Sequence, residues 1–429
     1  MKKQEVVEVK LNKIIYGGQA LGKLEDGKKI MVWGGLPDEL VKVKITKNKR
    51  NWAEGIVSEV IKASKERIEP KDQDSYLSTS PWQIMNYEFE NSLKRSLIID
   101  QFAQHAIELN LNDFTAPEDP YHYRNKVEFS FWWNNETEQI DLAFFKRGTH
   151  TKQPVNETSL ALQNINKVAT TIRDVLRQKN IQARDLKTLL VRCNQSEEVI
   201  AELYVKEQDV DIQISHTEVG AVGFSVHYSN PKSPASIKTK TLFTSGATKL
   251  EDKILGNVFT YSVDGFFQVT VPIYEQTLKT IKEHIDPKKP ILDLYSGVGS
   301  IGLCIAPPNQ NLKLIEIDER CVNEATLNAK KIKPDTEIML SSSEDAVDHI
   351  TNEQTVILDP PRAGLHQKVI DRLLKIKPAK IIYLSCNPAT QARDIALLEQ
   401  IYKISYAHGY NYFPRTPHIE NLVILEVVS

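Results

Sequence analysis

The chemically informative side chains fall where apolar strands should end. Cys386 lies in Tyr383-Leu384-Ser385-Cys386-Asn387-Pro388, a polar turn between a strand and a helix opened by Pro388. A lone cysteine is usually a small buried hydrophobe, and Cys304, in an apolar helical stretch, fits that role. Cys386 does not, because a neighbouring helix N-terminus is expected to favour its thiolate. Asp359 closes the strand of Leu358-Asp359-Pro360-Pro361-Arg362-Ala363-Gly364. The paired prolines withhold backbone donors and stiffen the exit, which can aim the carboxylate at a ligand. Near the C-terminus, Phe413-Pro414-Arg415-Thr416-Pro417-His418-Ile419-Glu420-Asn421 puts His418 and Glu420 on one side of the start of the last strand. These two read equally as a base with a neighbour and as a structural polar cluster.

A second group of residues suits a nucleoside-containing cofactor. Asp293-Leu294-Tyr295-Ser296-Gly297-Val298-Gly299-Ser300 brings glycines to a strand-to-helix turn, where backbone can approach a ligand closely. The next strand ends Ile315-Glu316-Ile317-Asp318, and a carboxylate there can accept both hydroxyls of a ribose. The third glycine of the dinucleotide fingerprint is missing. An adenosyl ligand without pyrophosphate therefore fits better, and a methyltransferase better than a dehydrogenase.

The elements that must hold these residues can be read from the same chain. The segments PILDLY, LKLIEI, EIML, TVILDPP, KIIYLS and NLVILEVV are apolar strands, most of them separated by helical stretches. That pattern predicts a parallel sheet covered on both faces, with ligands beyond the carboxyl ends of its strands. Residues 1–63 read as short β-branched strands between turn signals, a small OB-like barrel. Lys42, Lys44, Lys47, Lys49, Arg50 and Trp52 in its last strands have no acid between them; they suit a protected edge and a phosphate-binding stripe equally. Residues 64–258 follow as a linker and a central α+β region, with a helix from Tyr87 to Leu109, and residues 259–429 form the cofactor-binding domain. Within the central region the aromatics of YHYRNKVEFSFWW read as core packing sooner than as base stacking.

At 429 residues with formal net charge −2, the chain is a multidomain globular protein, and any positive surface must be local. The cysteines Cys193, Cys304, Cys321 and Cys386 form no C-x-x-C pair. This argues against a metal site or a disulfide framework and suits a reduced, cytoplasmic protein. There is no signal peptide pattern and no apolar run of membrane-spanning length, so no membrane association is expected.

Taken in order, GFFQV (Gly265–Val269), DLYSGVGSIGL, LDPPRAGL, YLSCNP and PRTPHIEN resemble the RNA 5-methyluridine (uracil-C5) methyltransferase family across nearly the whole chain. The barrel resembles that family's TRAM domain, an RNA-binding module. The resemblance implies a class I, Rossmann-like α/β domain that binds S-adenosyl-L-methionine. It further implies Cys386 as a nucleophile adding to carbon 6 of uracil, and Glu420 as the base that removes the carbon 5 proton. Gln268, Tyr295, Glu316 and Asp359 match the cofactor-contacting positions. RNA is the implied partner, with 23S ribosomal RNA favoured over transfer RNA, acted on by a monomer.

Many TRAM-containing members hold an iron–sulfur cluster through cysteines just after the barrel. Here residues 70–87, PKDQDSYLSTSPWQIMNY, contain none, with Ser80 near a ligand position, so no cluster and no metal are expected. Two rival readings remain: methylation of an exocyclic amine, which needs no cysteine, and an RNA-binding protein with a decayed catalytic domain.

Overall fold

β-branched residues alternating with polar ones between Val6 and Lys62 close into a barrel of five strands. The strands are Val6–Ile14, Ala20–Lys23, Lys29–Trp33, Leu40–Asn48 and Trp52–Lys62, and Val9, Leu11, Ile30, Val32, Val41 and Val43 fill the interior. The computed structural model describes residues 5–233 and 236–428 of the chain. Residues 1–4, 234–235 and 429, which belong to the three expected segments, lie outside them. Two of the five cations in the barrel's lysine run are paired with acids. Strand register puts Lys42 opposite Glu59 and Lys47 opposite Glu54, with N–O distances of 2.7 and 3.9 Å, and Lys47 also lies 4.7 Å from the centre of the Trp52 ring. The acids come from the neighbouring strand, which a linear reading of the run leaves out.

A mixed seven-stranded sheet makes the middle of the molecule. Its order is Lys240–Gly246, Gly223–Tyr228, Val199–Val205, Leu186–Cys193, Lys126–Asn134, Gln139–Phe145 and Lys152–Val155. The helix Gln163–Gln178 buries Ile165, Val168, Ile172, Val175 and Leu176, spaced to lie on one face. The hairpin expected from TLLVRC and EVIAELYV is present as antiparallel Leu186–Cys193 and Val199–Val205. Phe129 and Phe131 are buried in this layer's core, and Trp132 is exposed.

The C-terminal sheet has eight strands and is mixed rather than parallel. Glu337–Leu340, Leu312–Glu316, Ile291–Leu294, Thr355–Leu358 and Lys380–Ser385 are parallel neighbours in that order. Glu420–Val427 follows them antiparallel to both of its neighbours, Lys380–Ser385 and Tyr402–Tyr410. The sequence reading had no strand at Tyr402–Tyr410. With that strand present, the chain needs only the loop 411–419 to return, and a return without a crossover must be antiparallel. Asp113–Thr115, from the segment expected to be central, completes the edge.

The helix expected over Tyr87–Leu109 stops at Ala103. Ala106 takes a left-handed conformation (φ 62°); its N–H bonds to Ala103 O, and that of Ile107 bonds to Phe102 O. This is a Schellman ending, sealed by the buried pair Phe102 and Ile107.

That helix carries a buried ion cluster. Lys94 Nζ lies 3.0 Å from Glu90 Oε1, both fully buried, and Glu90 Oε2 lies 3.6 Å from the Arg415 guanidinium. Lys94 also donates to Asn411 Oδ1 (2.6 Å) and Phe413 O (3.0 Å). Removing one member of a buried ion group leaves the others desolvated and unpaired. Glu90→Ala is therefore expected to destabilise the protein by about 3–5 kcal/mol, read as a lower urea midpoint. A midpoint matching wild type would contradict this role for the cluster.

Candidate active site

The strand ends of the C-terminal sheet surround a cavity of about 680 Å³, and Gln268, Tyr295, Glu316, Asp359, Cys386 and Glu420 all line it. Tyr295, Glu316, Asp359 and Cys386 follow or end parallel strands at their carboxyl edge. Glu420 reaches the same edge because its strand runs the other way, with Asn421 paired to Ser385.

Each lining residue is held by identifiable contacts. Gln268 sits in a loop fixed by the central sheet, where buried Arg192 donates to Gly265 O and Phe267 O (both 2.8 Å). Arg192 also stacks on Tyr261, and Asn125 Nδ2 donates to Gln268 O (2.9 Å). Glu316 is gripped by backbone: Gly297 N–H donates to Oε2, and Ile317 and Asp318 N–H donate to Oε1, each at 2.8 Å. Tyr295 holds a left-handed φ of 63°, a strained conformation for a residue with a Cβ and one that clusters at functional sites.

The cofactor edge fits an adenosyl group with a positive sulfur. Ser296 Oγ is buried with no hydrogen-bond partner among the described residues, although Ser296 lines the cavity. Gly297 has φ 56°, and a Cβ built there would meet nothing within 4 Å; the turn is bare where a ligand would lie. Glu316 could accept from ribose hydroxyls, its carboxylate being already oriented. Asp359 and Glu420 are carboxyls that a sulfonium would draw into their ionised form.

The nucleophile candidate differs electrostatically from expectation. The Cys386 thiol is pushed up to about 11 by burial and then by Glu420 and Asp359, while Arg362 pulls it down. The helix N-terminus offers fewer free donors than expected. Asn387 caps it, its Oδ1 accepting from Ala389 N–H (3.2 Å), and Pro388 has no N–H to offer. Burial also raises Asp359, to about 7, and with Asp359 it holds Glu420 well above the usual carboxylate range. Arg362 is the functional residue that the sequence reading left without a role. Its Nη2 lies 3.0 Å from His418 Nδ1. Burial and the nearby cations, Arg362 foremost, push His418 down to about 4, so it is neutral at pH 7. The available signal was Arg362's place directly after the paired prolines at a ligand-binding strand end.

Comparison with known proteins completes this picture. Residues 87–428 match the model of the tRNA (uracil-5-)-methyltransferase family, and residues 2–58 match that of the TRAM domain. The chain belongs to the tRNA (uracil-5-)-methyltransferase family. It is an S-adenosylmethionine-dependent RNA (uracil-5-)-methyltransferase with an N-terminal TRAM domain. An uncharacterised RNA methyltransferase of Fusobacterium nucleatum is 28% identical, covering 99% of this chain and 97% of its own. One from Enterococcus faecalis is 27% identical over 99% and 98%. The crystal structure of a Pyrococcus abyssi tRNA (uracil-54, C5)-methyltransferase with S-adenosyl-L-homocysteine superposes with a TM-score of 0.81. At 21% identity, covering 98% of this chain and all of that one, this likeness is one of fold.

In the methyltransferase, the cysteine-free stretch after the barrel is tied by hydrogen bonds. Gln83 Nε2 donates to Ser80 Oγ (2.7 Å) and Asp72 Oδ2 (3.0 Å), and Ser159 N–H donates to Asp72 Oδ1 (3.0 Å). Among the described residues no cluster of His, Cys, Asp or Glu could hold a metal, and no helix is long and apolar enough to cross a membrane.

The thiol environment sets a measurable pH dependence. A thiol titrating near 11 is neutral at pH 7, so alkylation of Cys386 by iodoacetamide should rise about tenfold per pH unit between 7 and 10. Peptide mass mapping should place the label on Cys386, since Cys193, Cys304 and Cys321 are buried. A plateau reached by pH 8 would show instead that the thiolate is stabilised.

Proposed function

We propose that the methyltransferase acts on carbon 5 of uridine through a covalent bond from Cys386 to carbon 6. The observation that supports this most is the shared cavity, in which a partly exposed thiol and a buried acid face a cofactor-shaped edge. S-adenosylmethionine, when bound, supplies a methyl group on a sulfonium. Gln268, Tyr295, Glu316 and Asp359 are the residues that would hold it.

Carbon 5 of uracil is a weak nucleophile. Once the Cys386 thiol has lost its proton to solvent, addition of the thiolate to carbon 6 breaks the 5,6 double bond and moves its electron pair into an enolate. Carbon 5 then takes the methyl group. Glu420 removes the carbon 5 proton, and the C–H electron pair re-forms the double bond as Sγ leaves carbon 6. Glu420 would be drawn into its ionised form by the charge of a bound sulfonium, and a carboxylate raised by burial is then a stronger base than an exposed one. Arg362, the cation beside the thiol, would favour its ionised form. The uridine must leave any helical stack to enter so buried a site.

This reading separates from methylation of an exocyclic amine by experiment. RNA carrying 5-fluorouridine has no carbon 5 proton to remove, so the adduct should stall and run as a protein–RNA band under denaturing conditions. Cys386→Ala should abolish the band and methyl transfer, whereas Glu420→Gln should retain a covalent complex with ordinary RNA. Methyl transfer by Cys386→Ala at wild-type rate would favour the amine reading. Failure of wild type to bind S-adenosylmethionine would favour a decayed catalytic domain.

For the substrate we favour 23S ribosomal RNA, on the resemblance of the barrel. Transfer RNA is the second reading, since the Pyrococcus abyssi protein, described as acting on tRNA, shares the fold over 98% of this chain. The nucleophilic role of a free thiol suits a reducing, cytoplasmic setting. Mapping 5-methyluridine in both RNAs from a strain lacking the gene decides: a site missing from 23S rRNA supports the first reading, and one missing only from tRNA supports the second.

A further inference from the structure

The TRAM barrel reaches the catalytic turn itself. Between its strands Val6–Ile14 and Ala20–Lys23, the turn Tyr16-Gly17-Gly18 reaches Asn387, the residue after Cys386. Tyr16 Oη donates to Asn387 Oδ1 at 2.6 Å. Asn387, the neighbour of Cys386, caps the following helix through that same oxygen. Its Nδ2 donates to Arg362 O at 2.7 Å. Gly18 lies so close to the catalytic loop that a Cβ there would come within 2.6 Å of Pro417, and its φ of 101° admits glycine most readily. Gly18 O accepts from Trp82 Nε1 at 3.0 Å, and Trp82 N–H donates to Arg415 O. The turn is thus fastened on two sides, against the thiol's turn and against the loop that leads to Glu420.

We propose that the barrel serves methyl transfer directly, with Tyr16 as a positioning residue whose hydroxyl fixes Asn387, and through it Arg362, beside the Cys386 thiol. The proposal rests on Cys386 being the nucleophile. A barrel that only held RNA would need no hydrogen bond to the residue next to that thiol. The thiol is faced by Glu420 and Asp359, which oppose its ionisation, and by Arg362, which favours it. Tyr16 is itself buried against this group and shielded from ionising, its hydroxyl pushed up to about 12 by burial and then by Cys386. It therefore acts as a neutral donor. Losing that donor leaves the Asn387 amide held at Oδ1 by Ala389 N–H alone and loosens the shorter of the two bonds on Arg362 O, the other coming from Thr390 Oγ1 at 3.3 Å.

Full-length Tyr16→Phe tests this with labelled S-adenosylmethionine and total RNA from a strain lacking the gene. We expect kcat to fall about tenfold, the effect of one lost buried hydrogen bond felt in the transition state, with KM for RNA unchanged. Iodoacetamide alkylation of Cys386 should also need higher pH than in wild type. Asn387→Ala should do the same, and the double variant should be no worse than either single one, because both break one chain of contacts. A change confined to KM for RNA, an unchanged alkylation profile, or additive effects would each overturn the proposal. Cys386→Ala, assayed alongside, keeps the two readings apart: activity there removes the nucleophile assignment, whereas its inactivity with a wild-type-like Tyr16→Phe removes only the role of Tyr16.

Discussion

Lys94 carries a charge into a place that water does not reach, and much of the active site hangs on how that charge is met. Burial lowers it to about 8, against the opposing pull of Glu90. Three further contacts come from the loop 411–419: Asn411 Oδ1, Phe413 O, and the Arg415 guanidinium on the other side of Glu90. Arg415 N–H donates to Glu90 Oε1 (2.9 Å), and its Nη1 donates to Met85 O (2.8 Å). A loop between two antiparallel strands would ordinarily be among the looser parts of a fold. Here it is held at several points by one buried cluster, and it delivers Glu420 to the cavity as the first residue of the next strand. The cost of desolvating such ions is offset only while every partner is present, which makes the arrangement unforgiving and geometrically specific.

Three parts of the chain meet at the cavity, each by a different kind of contact. The central sheet sends Arg192 to grip the backbone around Gln268 with a planar fork, a task for which a lysine has the wrong shape. The C-terminal sheet provides the strand ends. The stretch after the barrel, where Trp82 and Gln83 bond in opposite directions, links barrel, central sheet and catalytic loop. Inside, the electrostatics are those of a site awaiting a positive group: two carboxyls raised by burial and a thiol raised with them. Neutral forms keep the cavity from carrying several uncompensated negative charges. A bound sulfonium would change that balance.

What could be read along the chain followed from local chemistry. The apolar runs ending in Leu294, Glu316, Leu358 and Ser385 identify parallel strands, because a strand buried on both faces must be apolar throughout. Each run is followed by a polar or glycine-rich turn at the edge where such sheets bind ligands. That logic selected Glu316, Asp359 and Cys386 and left Glu420 with two equal readings; the resemblance of five ordered motifs added Gln268 and Tyr295 and gave Glu420 the role of base. The strand Tyr402–Tyr410 escapes notice because only its first half alternates, with exposed Lys403 and Ser405 between Tyr402, Ile404 and Tyr406, while Ala407-His408-Gly409-Tyr410 is buried throughout and carries a histidine and a glycine. The helix at Tyr87 was drawn too long because a left-handed Ala106 leaves no trace in composition.

The sequence by itself determined which side chains stand at strand ends, since periodicity and turn residues are local properties. Only the tertiary structure decided how those ends meet. The direction of the last strand depends on the neighbour from which it returns, Tyr402–Tyr410, and its antiparallel pairing with Lys380–Ser385 puts Glu420 on the same edge as Cys386. The state of the thiol was likewise not local. A helix N-terminus beside Cys386 suggested a stabilised thiolate, but burial and two carboxyls from other strands raise the thiol, and at that helix end Pro388 has no N–H and Ala389 N–H is taken by Asn387. Charge pairing across the barrel's strands and the reach of Tyr16 to Asn387 belong to the same class. They join residues far apart in the chain, and no local pattern records them.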